Sequence, residues 1–273
     1  MENLGDLIVP KFLDAALTPV AKEAGDRLVD VINLVFTPII MARKYRDIKV
    51  NLFFDEVENR LKKIPENNVV NPPLNIVGPA LDSVAKFYYE EKHLRELFAH
   101  LIAASMNKDI LPEVHPAFVE VIKQLDFNDV TILNSNYLFE VEDNDDDEEI
   151  KCLYSVCYRP VCDIVYRSKS TGEIVGYITK NFVFAKNYFN KMSLQNFSLS
   201  LQNLVRLNIV TIEENLLYLD SFYEDYLDQR FWDYNNLCKE DSIYNSKDVE
   251  VSLVKKVITL TDFGQRFVKT CVS

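Results

Sequence analysis

The chain has 273 residues, of which 48% are hydrophobic and 26% are charged, a composition typical of globular proteins. This length supports one large domain or two medium-sized ones, with a core that needs no disulfide or metal to hold it together. The 42 acidic and 30 basic residues give a formal net charge of −12. Broad electrostatic binding of nucleic acid is therefore not expected, because phosphates are neutralised by cations.

The most acidic stretch of the sequence, residues 142–149, contains seven acids. Its charges repel one another and it has no apolar side chain to bury, so it is predicted to be a solvated acidic loop. The stretch begins like a calcium-binding loop, but Glu148 occupies the position where the sharp turn needs glycine. We therefore prefer a disordered loop to a calcium site.

The targeting features of the sequence favour a cytoplasmic protein. The first ten residues lack the basic start and the apolar stretch of a signal peptide. The most apolar segment, residues 29–42, is interrupted by Asp30, Asn33 and Pro38, and it is too short to span a bilayer. Five cysteines, an odd number, favour reduced thiols in the absence of secretion.

Residues 1–125 are predicted to form a helical N-terminal bundle. Two Thr-Pro pairs have the form of helix starts, since threonine caps a free N–H and proline lacks one. They are Thr18-Pro19 and Thr37-Pro38. Apolar residues at three- and four-residue steps predict a helix after each pair and another over residues 51–64. His115-Pro116 predicts a further helix, and Asp126 can cap the one that follows.

The most regular segment runs from Pro79 to Asn107, and its apolar spacing predicts one long helix with a buried face. The predicted inward residues are Ala80, Val84, Phe87, Leu94, Phe98, Leu101 and Ser105. Glu91 falls on the same side, so we expect it to be partly buried. Arg95, one turn later, is its expected ion-pair partner.

Residues 126–273 are predicted to be a winged-helix-like region with an inserted β element. Val- and Ile-rich runs and a turn signal predict a hairpin of residues 163–167 and 173–178. A helix over 193–207, strands near 209–212 and 257–260, and a last helix follow in winged-helix order. The predicted fold class is therefore α+β and mostly helical.

Several short motifs occur together in the order and spacing of a known family. They are Ala24-Gly25-Asp26 with Phe36-Thr37-Pro38, Glu91–Ala99 with Leu101-Ile102-Ala103, His115–Phe118 with Ile122, Asn203–Ile209, and Leu260–Gly264. From about Thr18 to Cys271 the chain resembles the abortive infection alpha (Abi-alpha) family, a bacterial family of unknown function. Asn208 stands where glycine is more typical of the family, a mild departure because asparagine also tolerates a left-handed helix cap.

The resemblance implies a cytoplasmic bacterial protein associated with defence against phage. It brings no established catalytic residues, so candidate sites come from the chain itself. Glu91, Arg95, Glu96 and His100 are candidates for an unrecognised polar site of an enzyme. A structural ion pair and a solvated helix face explain these residues more simply.

No metal site and no cofactor are expected. His93, Glu96 and His100 share a helix face, but a di-iron bundle needs matching carboxylates from other helices. The five-residue spacing of Cys152, Cys157 and Cys162 is not typical of zinc sites. The six glycines form no phosphate-binding loop, and there is no nucleophile elbow.

Two further surfaces are candidates for contacts with large partners. Gln202, Asn203 and Arg206 lie on the predicted recognition helix and could contact DNA, although one cation gives little phosphate anchoring. The apolar segment before residue 43 is followed by four cations that could contact an anionic membrane surface. These are Arg43, Lys44, Arg46 and Lys49.

The function that these observations favour is that of a non-enzymatic phage-defence effector or protein-interaction module. Its partner would be an unidentified host or phage protein, and homo-oligomerisation stays open. The alternatives are a winged-helix regulator that binds DNA and an enzyme with a polar site near Glu91.

Overall fold

The computed structural model describes residues 22–30, 47–88, 91–134, 159–182, 194–214, 223 and 248–272. These segments contain eight helices and one four-stranded antiparallel sheet, which confirms the predicted α+β class. The Thr-Pro pairs, the acidic loop and the Cys152 and Cys157 thiols fall outside the described residues.

The described elements follow one another in mixed order. The helices are α1 over residues 22–30, α2 (Asp47–Leu61), α3 (Leu74–Ser83), α4 (Lys92–Ser105), α5 (Ala117–Ile122), α6 (Phe127–Asn134), α7 (Leu194–Arg206) and α8 (Asp262–Cys271). The strands are β1 (Arg159–Ser168), β2 (Ile174–Phe182), β3 (Val210–Glu213) and β4 (Val249–Leu260).

The described residues divide into two compact units. Those up to Val130, with those from Gln265 onward, form the first, which we call the helical unit. Those from Thr131 to Gly264 form the second, which we call the sheet unit. The assignment of these parts to an N-terminal bundle and a winged helix stays a prediction.

The core of the helical unit is centred on α4, which contacts α2, α3 and α5. Its buried face contains Leu94, Phe98, Leu101 and Ser105, as the spacing predicts. Burial of each large apolar side chain contributes roughly 1.5–3 kcal/mol. The helix predicted after His115-Pro116 is present as α5, and its buried Phe118 meets the ring of Phe267 on α8 edge to face.

The prediction of one helix from Pro79 to Asn107 is wrong. Pro79 lies inside α3, a π-helical turn occupies Val84–Tyr88, and α4 begins only at Lys92. Glu91 has extended backbone angles, φ −86° and ψ 95°, and forms the N-cap of α4. A π-helical turn has more residues than an α-helical one, so apolar spacing before the turn does not carry its phase into α4.

The start of α6 has the capping arrangement expected of Asp126. The Oδ1 atom of Asp126 accepts the backbone N–H of Asp129 at 2.8 Å. In return, Oδ2 of Asp129 accepts the backbone N–H of Asp126 at 2.9 Å. This reciprocal capping box satisfies two N–H groups that helix geometry leaves without a partner.

The sheet of the second unit has the strand order β2-β1-β4-β3, with every neighbouring pair antiparallel. The predicted hairpin is confirmed as β1 and β2, and Gly172 in its turn has a φ of 73°. Strand β1 also pairs with β4 along its full length, from Arg159 opposite Ile258 to Ser168 opposite Val249. The returning strand is thus longer than the sequence predicts.

The predicted helix, strand, strand and helix order is present as α7, β3, β4 and α8, and α7 contacts both β2 and β3. Asn208, after α7, has a φ of 57°, which confirms that asparagine serves as a left-handed cap there. A Cβ on Gly264 would collide with the carbonyl of Ile209, so only glycine fits that contact.

Candidate functional site

Glu91, the centre of the predicted polar site, lies at the protein surface. Its side chain is exposed and its carbonyl accepts the backbone N–H of Arg95 at 2.9 Å, in the first turn of α4. The expected partial burial is therefore wrong. The reason is the extended backbone before α4, which removes Glu91 from the apolar face on which the spacing placed it.

Arg95 is buried and pairs with Glu56 of α2, not with Glu91 as predicted. Its Nη2 lies 2.8 Å from Oε1 of Glu56, and its Nε lies 3.1–3.2 Å from both carboxylate oxygens. A planar guanidinium binds a carboxylate through two donors in this geometry, which fixes orientation as well as distance. The pair ties α4 to α2, so Arg95 has a structural role.

Glu96 and His100 lie further along α4. Glu96 pairs with Lys92 at 3.6 Å, whereas Nδ1 of His100 lies 3.1 Å from Nη1 of Arg60 on α2. A guanidinium can only donate, so Nδ1 accepts and the neutral ring carries its proton on Nε2. In the described segments, no three His, Cys, Asp or Glu side chains converge as metal ligands would.

A cleft of about 370 Å³ opens beside His100 in the helical unit. Its lining combines basic side chains with small apolar ones. The residues are Arg60, Lys63, Ile64, His100, Ala103, Ala104, Asn107, Ile110, Lys269 and Thr270. We call this the cationic cleft, because Arg60, Lys63 and Lys269 are basic and no acid is among the lining residues.

Arg60 is a partly buried cation of the cleft. Its Nε is buried and has no hydrogen-bond partner among the described residues. Burial lowers the pKa of the guanidinium, although attraction to Glu96 and Glu56 opposes that effect. Glu56 is already bound by Arg95, so its charge is shared between two guanidinium groups.

Helix α8 also contributes to the lining of the cationic cleft through Lys269 and Thr270. Lys269 lies 3.0 Å from Glu113, and Arg266 lies 3.4 Å from the same carboxylate. The hydrogen bond and charge of Lys269 lower the pKa of Glu113, and Arg266 adds to that effect. Two cations thus share one acid, while Lys63 forms no ion pair with any described residue.

Sequence reasoning missed the cationic cleft. One signal was present, the run Arg60-Leu61-Lys62-Lys63 at the end of a predicted helix. Lys269, however, is more than 200 residues away in the chain. Apolar periodicity says nothing about which helix end meets which, so the convergence of these cations needs the tertiary structure.

A buried charged cluster in the sheet unit was also missed. Lys256 Nζ on β4 lies 2.7 Å from Asp163 on β1 and 3.3 Å from Glu214. Burial alone would lower the pKa of Lys256, but its bonds to Asp163 and Glu214 outweigh burial and raise it. A lysine that holds its proton so firmly is a structural cation and not a nucleophile.

The residues predicted to contact DNA lie on α7. Gln202 is exposed and donates to Ser198 at 3.3 Å. Arg206 donates to Oδ1 of Asn203 at 2.7 Å, so these two side chains already bond to each other. Contact with DNA stays a prediction, and nothing in this geometry adds a second cation to the helix.

The side chains predicted to contact a membrane are not among those that the structure describes. Arg43, Lys44 and Arg46 lie outside the described residues, and Lys49 lies in α2 with its side chain not described. Within the described segments, no helix has the length and apolar character needed to cross a bilayer. Peripheral membrane contact stays a prediction.

Comparison with known proteins gives one match. No curated protein and no solved structure was found to be similar to the chain. The sequence model described as abortive infection alpha, however, matches residues 45–271, which is most of the chain. The match includes α2, α4 and α8, the helices that line the cationic cleft. The chain therefore belongs to the abortive infection alpha family.

Proposed function

We propose that this chain acts in the bacterial cytoplasm in abortive defence against phage, and that it acts by binding rather than by catalysis. The family supports the biological setting. The observation that carries this proposal is the Arg95–Glu56 ion pair. It joins two helices, so Arg95, a candidate catalytic residue, has a structural role. With Glu91 in solvent, the predicted polar site is divided between the surface and a helix interface.

The buried thiols of the described segments support the same conclusion. Burial raises the pKa of Cys162 far above its usual value and raises that of Cys271 to about 12. The thiolate is the nucleophilic form of cysteine, so both groups are inert near neutral pH. These two side chains fill the interior and supply no covalent chemistry.

Phage plating on cells with and without this chain tests the proposal. We expect fewer plaques with the chain, and we expect Glu91→Gln to protect as well as wild type. Equal plaque numbers with and without the chain would rule out a defence role. Loss of protection in Glu91→Gln, with unchanged thermal stability, would instead place a functional group at Glu91 and contradict the expected result.

Affinity capture during infection addresses the binding role directly. A tagged chain should retain a host or phage component that is absent from uninfected cells. The control is Lys62→Gln, which removes one exposed charge and leaves the fold intact. Retention of the same components with and without phage would contradict a binding role in defence.

A further inference from the structure

We propose that the cationic cleft binds a phosphate-bearing small molecule of about nucleotide size. This inference deepens the proposed function, since it names a ligand for the binding protein. Its direct test uses purified protein and does not depend on any phage assay.

The first support is charge. Arg60, Lys63 and Lys269 line one cleft, and Glu113 beside it is shared by Lys269 and Arg266. Glu56 and Glu96 attract Arg60, and Glu113 binds Lys269, but each of these acids is shared with a second cation and Lys63 has no ion pair among the described residues. A phosphate group would supply the further negative charge. Among the described residues, the buried Nε of Arg60 has no hydrogen-bond partner, so this donor can bind a ligand acceptor.

The second support is the kind of hydrogen-bonding group present. Lysine and arginine side chains only donate, and Arg60, Lys63 and Lys269 all line the cleft. Asn107 uses its Oδ1 to accept the backbone N–H of Asp109, which leaves its amide hydrogens for other acceptors. A lining rich in donors suits phosphate oxygens, which only accept.

The third support is shape. A volume of about 370 Å³ lies within the range of small-molecule sites, which is roughly 300–1,000 Å³. Ala103 and Ala104 on α4, with Ile64 and Ile110, give the cleft an apolar wall. Such a wall accepts a flat apolar group, such as a nucleobase, beside the charged part of the ligand.

A nucleic-acid strand fits this cleft less well than a compact anion does. The chain as a whole carries −12, which repels a long polyanion. Salt screens charges more than about 10 Å apart, so a small ligand inside the cleft responds mainly to the nearby cations. The local positive field and the global negative charge thus select for a small phosphate compound.

Isothermal titration calorimetry of the full chain tests the inference with three probes, inorganic pyrophosphate, ADP and adenosine. We expect ADP and pyrophosphate to bind with a Kd below about 1 mM, and adenosine to bind at least about tenfold more weakly. ADP binding tighter than pyrophosphate supports a nucleotide, and equal binding restricts recognition to the phosphates. Absence of binding by both phosphate probes overturns the proposal.

Two matched double variants locate the binding. Lys63→Gln with Lys269→Gln removes two cleft cations and should weaken ADP binding at least about tenfold. Lys62→Gln with Lys86→Gln removes two cations that pair with Glu58 and Asp82 outside the cleft, and should leave binding unchanged. Equal losses in both variants would assign binding to general charge and overturn the site.

The same variants separate this inference from the proposed function. Circular dichroism first establishes that both double variants unfold at wild-type temperature. If the cleft variant loses ADP binding but keeps phage protection, the ligand site is real and the defence role does not use it. If no variant or wild-type chain binds a phosphate probe, protection against phage can still be intact.

Discussion

Each unit contains a buried ion pair, and the two pairs differ in how far the carboxylate is removed from water. In the helical unit, Arg95 binds Glu56 through two donors, and the side chains are 6% and 21% exposed. In the sheet unit, Lys256 binds Asp163 through one ammonium group, and the exposures are 10% and 4%. The helix pair leaves its carboxylate near water, whereas the strand pair buries it.

In the sheet unit, the second carboxylate oxygen of Asp163 and the backbone carbonyl of Lys256 also have hydrogen-bond partners. Oδ1 of Asp163 accepts the backbone N–H of Asn181 at 2.8 Å, and Tyr223 donates its hydroxyl to the carbonyl of Lys256 at 2.7 Å. A fully bonded buried network rigidifies its surroundings, but loss of one member leaves the others without water to replace it. The comparison predicts that the strand pair is the more sensitive of the two.

Lys256→Met should produce the largest loss of stability. It leaves the Asp163 carboxylate buried without its cation, which typically costs about 3–5 kcal/mol. Urea unfolding measures this loss as a lower midpoint. Lys255→Met, at the exposed neighbouring position, is the control; it loses a cation–π contact with the Tyr223 ring at 5.1 Å and should cost far less.

The double variant Lys256→Met with Asp163→Leu tests whether the unpaired charge is the cause. Replacement of both charges by apolar groups is often close to neutral, so the double variant should recover much of the lost stability. A double variant as unstable as Lys256→Met alone would show that packing, and not the buried carboxylate, explains the loss.

Arg95→Met should cost less, about 2 kcal/mol, because the abandoned Glu56 can turn toward water. The measurement is the same urea midpoint, with Lys92→Met as the control on the exposed side of α4. A loss as large as that of Lys256→Met would contradict the idea that exposure of the acid separates the two pairs.

The sequence predicts the partners of these pairs poorly for a physical reason. Arg95 was identified, but its partner was sought one turn away, where local spacing is informative. The true partner, Glu56, lies 39 residues earlier on α2. Asp163 and Lys256 are 93 residues apart. Asp163 lies between apolar residues in the sequence and Lys256 follows a second lysine, but neither pattern shows which strands pair.

The predictable parts of the fold are those decided within one or two turns of chain. The buried face of α4, the cap at Asp126 and the left-handed Asn208 all follow from local chemistry and are present. The π-helical turn before α4 depends on tertiary packing, and it displaced Glu91. The cationic cleft is still less local, because it needs three helices to bring Arg60 and Lys269 together.

Alkaline pH should weaken the sheet unit through the groups around its ion pair. Burial raises the pKa of Tyr223 to about 12, and ion pairing raises that of Lys256 above its usual 10.5. Both groups hold their protons more tightly when folded, so their contribution to stability is constant below about pH 9–10 and falls as pH rises toward these values.

Tyr223 and Lys256 together should lose about 1–2 kcal/mol between about pH 9 and 11, measured by urea unfolding at stepped pH values. The buried thiols Cys162 and Cys271, whose pKa values burial also raises, add a further loss over the same range. The variant with Lys256→Met and Asp163→Leu should therefore decline less steeply but not become flat. An identical decline would show that Lys256 does not contribute.

Asp126→Ala should have the smallest effect, about 1 kcal/mol, typical of a lost helix cap. The lost bond joins Asp126 to an N–H three residues away, and Asp126 itself is exposed, so water can replace part of it. Asp126→Asn keeps a side-chain acceptor and should retain most of the stability. A loss from Asp126→Ala as large as that from Arg95→Met would mean that α6 depends on its cap as much as α4 depends on its ion pair. It would contradict the expectation that a local bond contributes less to stability than a long-range one.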